Sequence, residues 1–388
     1  MHIPIIYNVR SLIQRPVSTL ATVMGIAIVV AVLCGMLALA TGFQKAISST
    51  GSPDNVIVMR DGADAEISSG IPRDNVNIIA SLPEIANNKD GRPMFSADIV
   101  VIINIHKIGE SKYYNVTVRG VSKNAFDLRE NMRIIAGRSF NPGAYEVIIG
   151  SKLVGKYENC YLDGTLEYGQ RKWTVVGIFS AGETAFDSEI WGENEILMPV
   201  FWGPVFQSVT FRMNDSTLFY KIKDKLENDP RLQVAVYRES DFYSKRSQAL
   251  TMVLKFLGYF VSSIMAIGAI FGAINTMNSA IASRHREIAV LLTLGFPPSA
   301  ILFSFLFECI LICVTGGIVG CLLALPLNFV TTSTTNWQTF TEVAFTFHLT
   351  PGIFCAGIIF AVIMGILGGF VPSWRSSRQS IAQALRQE

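Results

Sequence analysis

Long apolar stretches divide the chain before any single residue is considered. Residues 20–40, 256–274, 300–327 and 353–371 carry no charged side chain except Glu308 in the third. An α-helix needs roughly 20 apolar residues to cross a ~30 Å hydrocarbon core. Four spanning helices are therefore predicted, the first running about 31 Å at ~1.5 Å per residue. The region between the first and second behaves differently, with short alternating runs separated by turn residues, as in a water-exposed mixed α and β domain. Residues 55–59, 99–105 and 113–119 read as strands and 72–82 as a helix. The pattern returns at the far end, with a strand at 209–213, a helix at 216–226 and a strand at 231–238. Two β-α-β units thus flank a different middle, about 125–205. That middle is rich in turns and short strands such as 146–149 and 173–179, and reads as an inserted, mostly β subdomain. Ser240 is the expected N-cap of a helix that continues through Lys245 and Arg246 into the second span, making domain and membrane helix continuous.

The turn between the second and third spans carries the most conspicuous short-loop charge. Arg284, His285, Arg286 and Glu287 stand at its start, and a short helical run through Ile288, Leu291 and Leu294 follows. Gly295 can end that run, and Pro297 and Pro298 suit the first turn of the next helix, where a missing N–H costs little. The bland reading of these residues is a topological signal with an Arg284–Glu287 pair for helix support. The functional reading is a surface on which a cytoplasmic protein pushes.

Near the N-terminus, Ile5, Val9, Leu12 and Ile13 recur at helical spacing and predict a short interfacial helix, after which Pro16 bends the chain. A cleaved signal peptide is the competing reading, since Arg10 and Arg15 precede the run and 38–40 resembles a cleavage site. Signal h-regions are only about 7–15 residues long, which favours an uncleaved helix. After the third span comes a polar hairpin, 331–350, and after the fourth a polar, basic tail.

Composition agrees with a membrane protein: of 388 residues, 50% are hydrophobic and 16% charged. The net charge of +2 comes with no basic tract, so nucleic acid is not an expected partner. Short loops set the orientation. Arg10, Arg15, Arg284, Arg286, Arg375, Arg378 and Arg386 fall on one side, and the 331–350 hairpin on the other has no Lys or Arg. By the positive-inside rule both termini are cytoplasmic and the large domain lies outside. Five of six cysteines lie in apolar runs and only Cys160 in the domain, which leaves no intradomain disulfide. Cys309 and Cys313 share a helix face, but no His or further Cys completes a metal site there. The four histidines are scattered, and no nucleophile–base constellation appears, so no catalytic residue is assigned. The string Gly150 to Lys156 matches a phosphate-binding loop up to its lysine, but Tyr157 stands where a Ser or Thr is needed for magnesium. It reads as a structural helix start. Glu308, inside a span, is expected to serve helix packing or an interhelical hydrogen bond, as are Asn275 and Asn278. Gly316, Gly320, Gly365 and Gly369 are small residues that let helices approach closely. The glycine-lined fourth span suggests a face that wants a partner, hence a homodimer.

These residues together resemble the MacB/FtsX/LolC superfamily of ABC-transporter permeases. The matching positions are Asn275 to Met277, Arg284 to Ile288, Leu294, Gly295, Glu308 and the glycines from Gly316 to Gly320, with terminal stretches at 8–12 and 381–386. Ala289 and Phe296 depart from the usual Gly and Ala. The resemblance implies an α-helical membrane protein of the inner membrane with four transmembrane helices and a large α+β extracytoplasmic domain between the first two. It assigns 1–16 to an interfacial helix, 17–41 to the first span and 42–250 to the domain. Within the domain, 42–124 with 206–250 would be Porter-like and 125–205 Sabre-like. The second span is 251–280, the coupling helix 281–298, the third span 299–328, the outer hairpin 329–350, the fourth span 351–372 and the tail 373–388. Arg284, His285, Arg286, Glu287, Ile288, Leu291, Leu294 and Gly295 would couple to a separate cytoplasmic ATPase, which binds the ATP and magnesium. The split form without a fused ATPase is DevC-like and implies mechanotransmission, driving export of a lipidic or hydrophobic substrate through a periplasmic adaptor and an outer-membrane channel. A lipoprotein-extracting LolC/E-like permease and an FtsX-like regulator of an extracytoplasmic enzyme are the alternatives.

Overall fold

The computed structural model describes residues 12, 15–201, 203–335 and 341–378. The expected interfacial helix at 1–16 and the family-like stretch at 381–386 lie, but for a few residues of the former, outside these. The helices of eight or more residues, in chain order, are α1 (Pro16–Ser48), α2 (Arg73–Ala80), α3 (Asn194–Phe201), α4 (Phe219–Glu227), α5 (Glu239–Ala282), α6 (His285–Thr293), α7 (Pro298–Ala324) and α8 (Pro351–Ser377). Four of them, α1, α5, α7 and α8, are long and apolar enough to cross a membrane. The chain divides into two compact units: residues 1–42, 251–330 and 347–388 form one, and 43–250 with 331–346 the other.

The helical unit is held by close backbone approach. A β-carbon at Gly316 would lie 2.9 Å from the Val23 carbonyl oxygen, and one at Gly320 only 2.5 Å from that of Ala27, so α7 lies directly against α1. Gly365 meets the Ile310 backbone and Gly369 meets Cys309, joining α8 to α7, while Gly368 meets Ala273 of α5. The glycines of the fourth span are thus consumed inside the chain. The expectation that they form a face for a second copy is corrected on this point. The third span also ends differently, because Pro326 has no N–H with which to continue a helix; α7 stops at Ala324 and a 3-10 segment covers Leu325–Phe329. At the other end α8 runs through Pro372 to Ser377.

The domain unit is built on strands β1 (Asn55–Arg60), β2 (Ile71–Pro72), β3 (Phe95–His106), β4 (Tyr113–Val121), β5 (Arg133–Gly137), β6 (Glu146–Gly150), β7 (Thr165–Tyr168), β8 (Arg171–Ser180), β9 (Glu189–Glu193), β10 (Val205–Phe206), β11 (Ser208–Arg212), β12 (Val234–Arg238), β13 (Thr331–Thr335) and β14 (Glu342–Thr346). The main sheet has the order β12-β1-β11-β3-β4-β9-β6-β8-β5. Its first four members come from the two β-α-β units of the sequence pattern, interleaved and antiparallel, as in a ferredoxin-like βαββαβ arrangement. The middle of the domain does not stand apart as a second sheet. It joins through parallel pairing of β4 with β9, and one apolar core runs from Val56 and Ile79 to Leu166 and Trp173. The β13–β14 hairpin belongs to this unit as well: the Tyr157 hydroxyl donates to Glu342 at 2.5 Å and the Ala344 N–H to the Ser188 hydroxyl at 3.0 Å.

Charges are buried in the middle of this domain. Arg119 on β4 is 2% exposed and donates to both oxygens of Glu189, at 2.7 and 3.0 Å. It also donates to both oxygens of Glu66, at 2.9 and 3.1 Å. Arg129 donates to Asp98 at 3.1 Å and lies over the rings of Phe186 and Trp191. The Ser208 hydroxyl also donates to Glu66 and the Trp191 indole N–H to Glu189. Burial alone would lower the Arg119 pKa, but Glu189 and Glu66 outweigh it and hold the guanidinium well above its ordinary value.

Two local expectations are corrected. The helix predicted with Ser240 as N-cap, and so with Asp241 as its first residue, begins two residues earlier, at Glu239, whose carboxylate accepts from the Ser52 N–H at 3.0 Å and the Asn55 amide at 2.9 Å. The stretch from Gly150 to Lys156 starts no helix. It is a series of turns with Gly155 at φ +71°, tied to Asp187 by the Lys152 N–H at 3.0 Å and the Ser151 hydroxyl at 3.3 Å.

Asp187 carries a testable consequence. One of its oxygens accepts from the Ala181 N–H at 2.7 Å, and the other is buried with no hydrogen-bond partner among the described residues. Burial pushes its pKa up, against the opposing hydrogen bond from Ala181. A raised carboxyl pKa in the folded state adds stability below the ordinary value of about 3.9, lost as pH rises through the folded value. Asp187→Asn is therefore expected to gain stability relative to the parent as pH is raised from about 4 to about 7, by no more than ~1.4 kcal/mol per pH unit for a single proton. Thermal unfolding of both proteins across that range measures it, and parallel pH profiles would refute it.

Candidate functional site

The turn between α5 and α7 is built by backbone chemistry at both ends of α6. Arg284 caps its start with a non-helical backbone, φ −120° and ψ 16°, its N–H donating to the Ile281 carbonyl and its carbonyl accepting from Ile288 at 3.0 Å. At the other end Gly295 takes φ +86°, a region a side chain disfavours. Its N–H donates to the Leu292 carbonyl and that of Phe296 to the Leu291 carbonyl, each at 3.1 Å, which satisfies the last carbonyls of the helix. Pro297 then caps α7 and Pro298 is its first residue.

The side chains of this short helix point two ways. Arg286, Glu287, Val290, Leu294 and Gly295 are exposed, His285 and Leu291 are partly covered, and Ile288 and Ala289 are buried. Arg284 is buried too, at 7% exposure. Its guanidinium reaches Glu308 on α7 at 3.3 Å, with Glu287 on the other side at 3.9 Å. Of the eight residues expected to meet a partner, Arg284 and Ile288 therefore face inward, and the outward surface is carried by Arg286, Glu287, Leu294 and Gly295. Glu308, 2% exposed, has a buried cation as its partner. Sequence reasoning paired Arg284 with Glu287 only. An arginine at a turn and a single acid in the next span were the available signal for the second pairing.

At the same end of the unit α1 is tied to α5. Arg15 donates to the Ser279 carbonyl at 3.0 Å, and the Thr22 and Thr276 hydroxyls share a 2.6 Å hydrogen bond. Asn275 and Asn278, expected between helices, are instead exposed on α5. Among the described residues the same helix leaves Gly268 and Gly272 with nothing within 4 Å of a β-carbon, in contrast to the glycines of α7 and α8. Among the described residues no cluster of His, Cys, Asp or Glu has the arrangement of a metal site.

Comparison with known proteins agrees with this architecture. The family model of the MacB-like periplasmic core domain matches residues 19–230, and that of the FtsX-like permease C-terminal region matches 259–381. The chain is 26% identical over 415 aligned residues to the macrolide export ATP-binding/permease protein MacB of Neisseria gonorrhoeae, covering 98% of this chain and 60% of that protein. With the protein of the same name from Bdellovibrio bacteriovorus it shares 25% identity, over 98% of this chain and 61% of the relative. The chain thus spans about 60% of the length of the curated relatives it matches. The extracellular domain of the noncanonic ABC-type transporter YknZ from Gram-positive bacteria aligns with 47% of this chain at 13% identity and a TM-score of 0.36. With a periplasmic-core match that takes in more than half of its residues and a permease match over most of the rest, the chain belongs to the MacB/FtsX family of ABC-transporter permeases.

Proposed function

We propose that the protein is the membrane subunit of an ABC transporter that turns ATP hydrolysis by a separate cytoplasmic subunit into movement of its large domain. The observation that carries this reading is α6, a short helix held between two long apolar helices with Arg286, Glu287, Val290 and Leu294 turned outward. The charged pair gives register to a docking partner, and the two apolar side chains give it contact area. ATP and magnesium are bound by the partner, and this chain supplies no catalytic group. Both termini and α6 lie in the cytoplasm and the large domain in the periplasm, following the positions of the arginines in the short loops. The substrate is lipidic or hydrophobic, reached from outside. A periplasmic adaptor leading to an outer-membrane channel docks within 125–205.

Two copies form the working unit. Their contact runs along α5, where Gly268 and Gly272 are open and the exposed amides of Asn275 and Asn278 would otherwise face hydrocarbon.

The double substitution Arg286→Glu with Glu287→Lys tests the coupling surface, since both side chains are exposed. In nanodiscs it is expected to lose at least about tenfold in affinity for the ATPase, the scale of reversing a close charge contact, with unfolding of the chain unchanged. Normal capture of the ATPase by the double variant would overturn the assignment. Control of an extracytoplasmic enzyme, with no substrate moved, would select the regulator reading instead.

A further inference from the structure

We propose that Arg284 is a positioning residue that fixes α6 to α7 through Glu308, so that a push on the short helix is delivered to the third long helix. The proposal rests on the reading of α6 as the ATPase contact and adds where the force goes. Two backbone hydrogen bonds place Arg284 in the turn after α5, while its guanidinium binds Glu308 at 3.3 Å. Glu308 lies about 15 Å along α7 from Pro298 at ~1.5 Å per residue, well inside the apolar run. Ile288 and Ala289 also anchor α6, both buried, and Leu292 packs against the same apolar core. Apolar contacts are non-directional and let one helix slide or roll over another. A buried, charge-assisted hydrogen bond fixes both distance and angle, and breaking it leaves a charge stranded in a poorly polarisable interior.

Glu287 completes the device. Its side chain is 57% exposed, and one oxygen is 3.9 Å from the Arg284 Nε. Arg284 therefore stands between a carboxylate that an outside partner can touch and one that it cannot. A basic group brought to Glu287 draws that carboxylate outward and away from the guanidinium that binds Glu308, so docking at the surface is felt at the buried pair.

The full chain in nanodiscs provides the test, with Cys355, the exposed cysteine, replaced by Ala and spin labels at Thr293→Cys on α6 and Phe303→Cys on α7. The parent and the exchange of charges, Arg284→Glu with Glu308→Arg, are expected to give one narrow distance distribution. Arg284→Gln and the near-isosteric Glu308→Gln are expected to broaden it at least about twofold, as a helix freed to roll would. With the ATPase bound and without labels, Glu308→Gln is expected to lower kcat for ATP about tenfold at unchanged KM, and the exchange to restore most of it. An unbroadened distribution in Glu308→Gln overturns the proposal, as does an unchanged kcat in a variant that still recruits the ATPase. If the parent recruits no ABC ATPase, the functional reading fails and the distance measurement alone decides whether the pair positions α6.

Discussion

Arg119→Met is expected to lower the stability of the large domain by about 3–5 kcal/mol, the cost of breaking a buried ion pair from one side. Arg119 makes both hydrogen bonds of two carboxylates, Glu66 and Glu189, and lies 3.4 Å from a third, Asp98. Removing it takes a paired cation away from Glu66 and Glu189, each 8% exposed. These carboxylates also accept from the Ser208 hydroxyl, the Trp191 indole N–H and, at a long 3.4 Å, the Tyr243 hydroxyl. None of these carries charge. Arg119→Lys keeps the charge but cannot form the four bonds of a planar guanidinium, so it is expected to fall between the two. Denaturant unfolding followed by the fluorescence of the buried Trp191 and Trp173 reads the effect. A loss below about 1 kcal/mol for Arg119→Met would show that the network is hydrated and behaves as a surface cluster.

The network also shows where sequence reading stops. Arg119 ends a strand that the alternation placed at 113–119, but Asp98 lies just before the strand read at 99–105, and Glu189 opens β9, which the pattern did not name. Their meeting depends on β4 pairing with β9 in parallel, a contact across about seventy residues that no local pattern specifies. The four spans and the interleaved β-α-β strands were legible because hydrophobic period and length alone define them. The β insert was legible as strands but not as an extension of the same sheet, since pairing partners are a tertiary fact. At α6 the ends were readable from Gly295 and Pro298. The inward turn of Arg284 was not, because a residue at a helix break belongs to neither helix's periodicity. The glycines gave the clearest lesson. Sequence marks them as contact points but cannot say with what, and those of α8 touch α7 and α5 within the chain.

That distinction yields the second large effect. Gly320→Val is expected to prevent stable assembly of the four long helices, whereas Gly268→Val leaves the single chain folded and abolishes pairing of two copies. At Gly320 a β-carbon would meet the Ala27 carbonyl oxygen at 2.5 Å and the Val30 side chain at 2.8 Å. The first of these neighbours is helix backbone, which cannot move aside as a flexible side chain can. Overpacking a well-filled site costs about 1–3 kcal/mol when side chains can adjust, and more when two helix axes must separate. Gly316, one turn earlier, has the same contact with the Val23 carbonyl at 2.9 Å, so separating α7 from α1 at one glycine loosens the other. Gly268 has nothing within 4 Å among the described residues, so its substitution adds atoms to the outer surface of α5. If two copies approach along that surface, as the open glycines and the exposed amides of Asn275 and Asn278 suggest, the added isopropyl group holds them apart. Thermal unfolding in detergent measures the first effect, and mass measurement in nanodiscs the second. Gly320→Val is expected to lose its cooperative unfolding transition, and Gly268→Val to keep it while shifting from dimer to monomer. A Gly268→Val protein that stays dimeric would move the contact between copies away from α5, and a Gly320→Val protein as stable as the parent would contradict the close packing of α7 on α1.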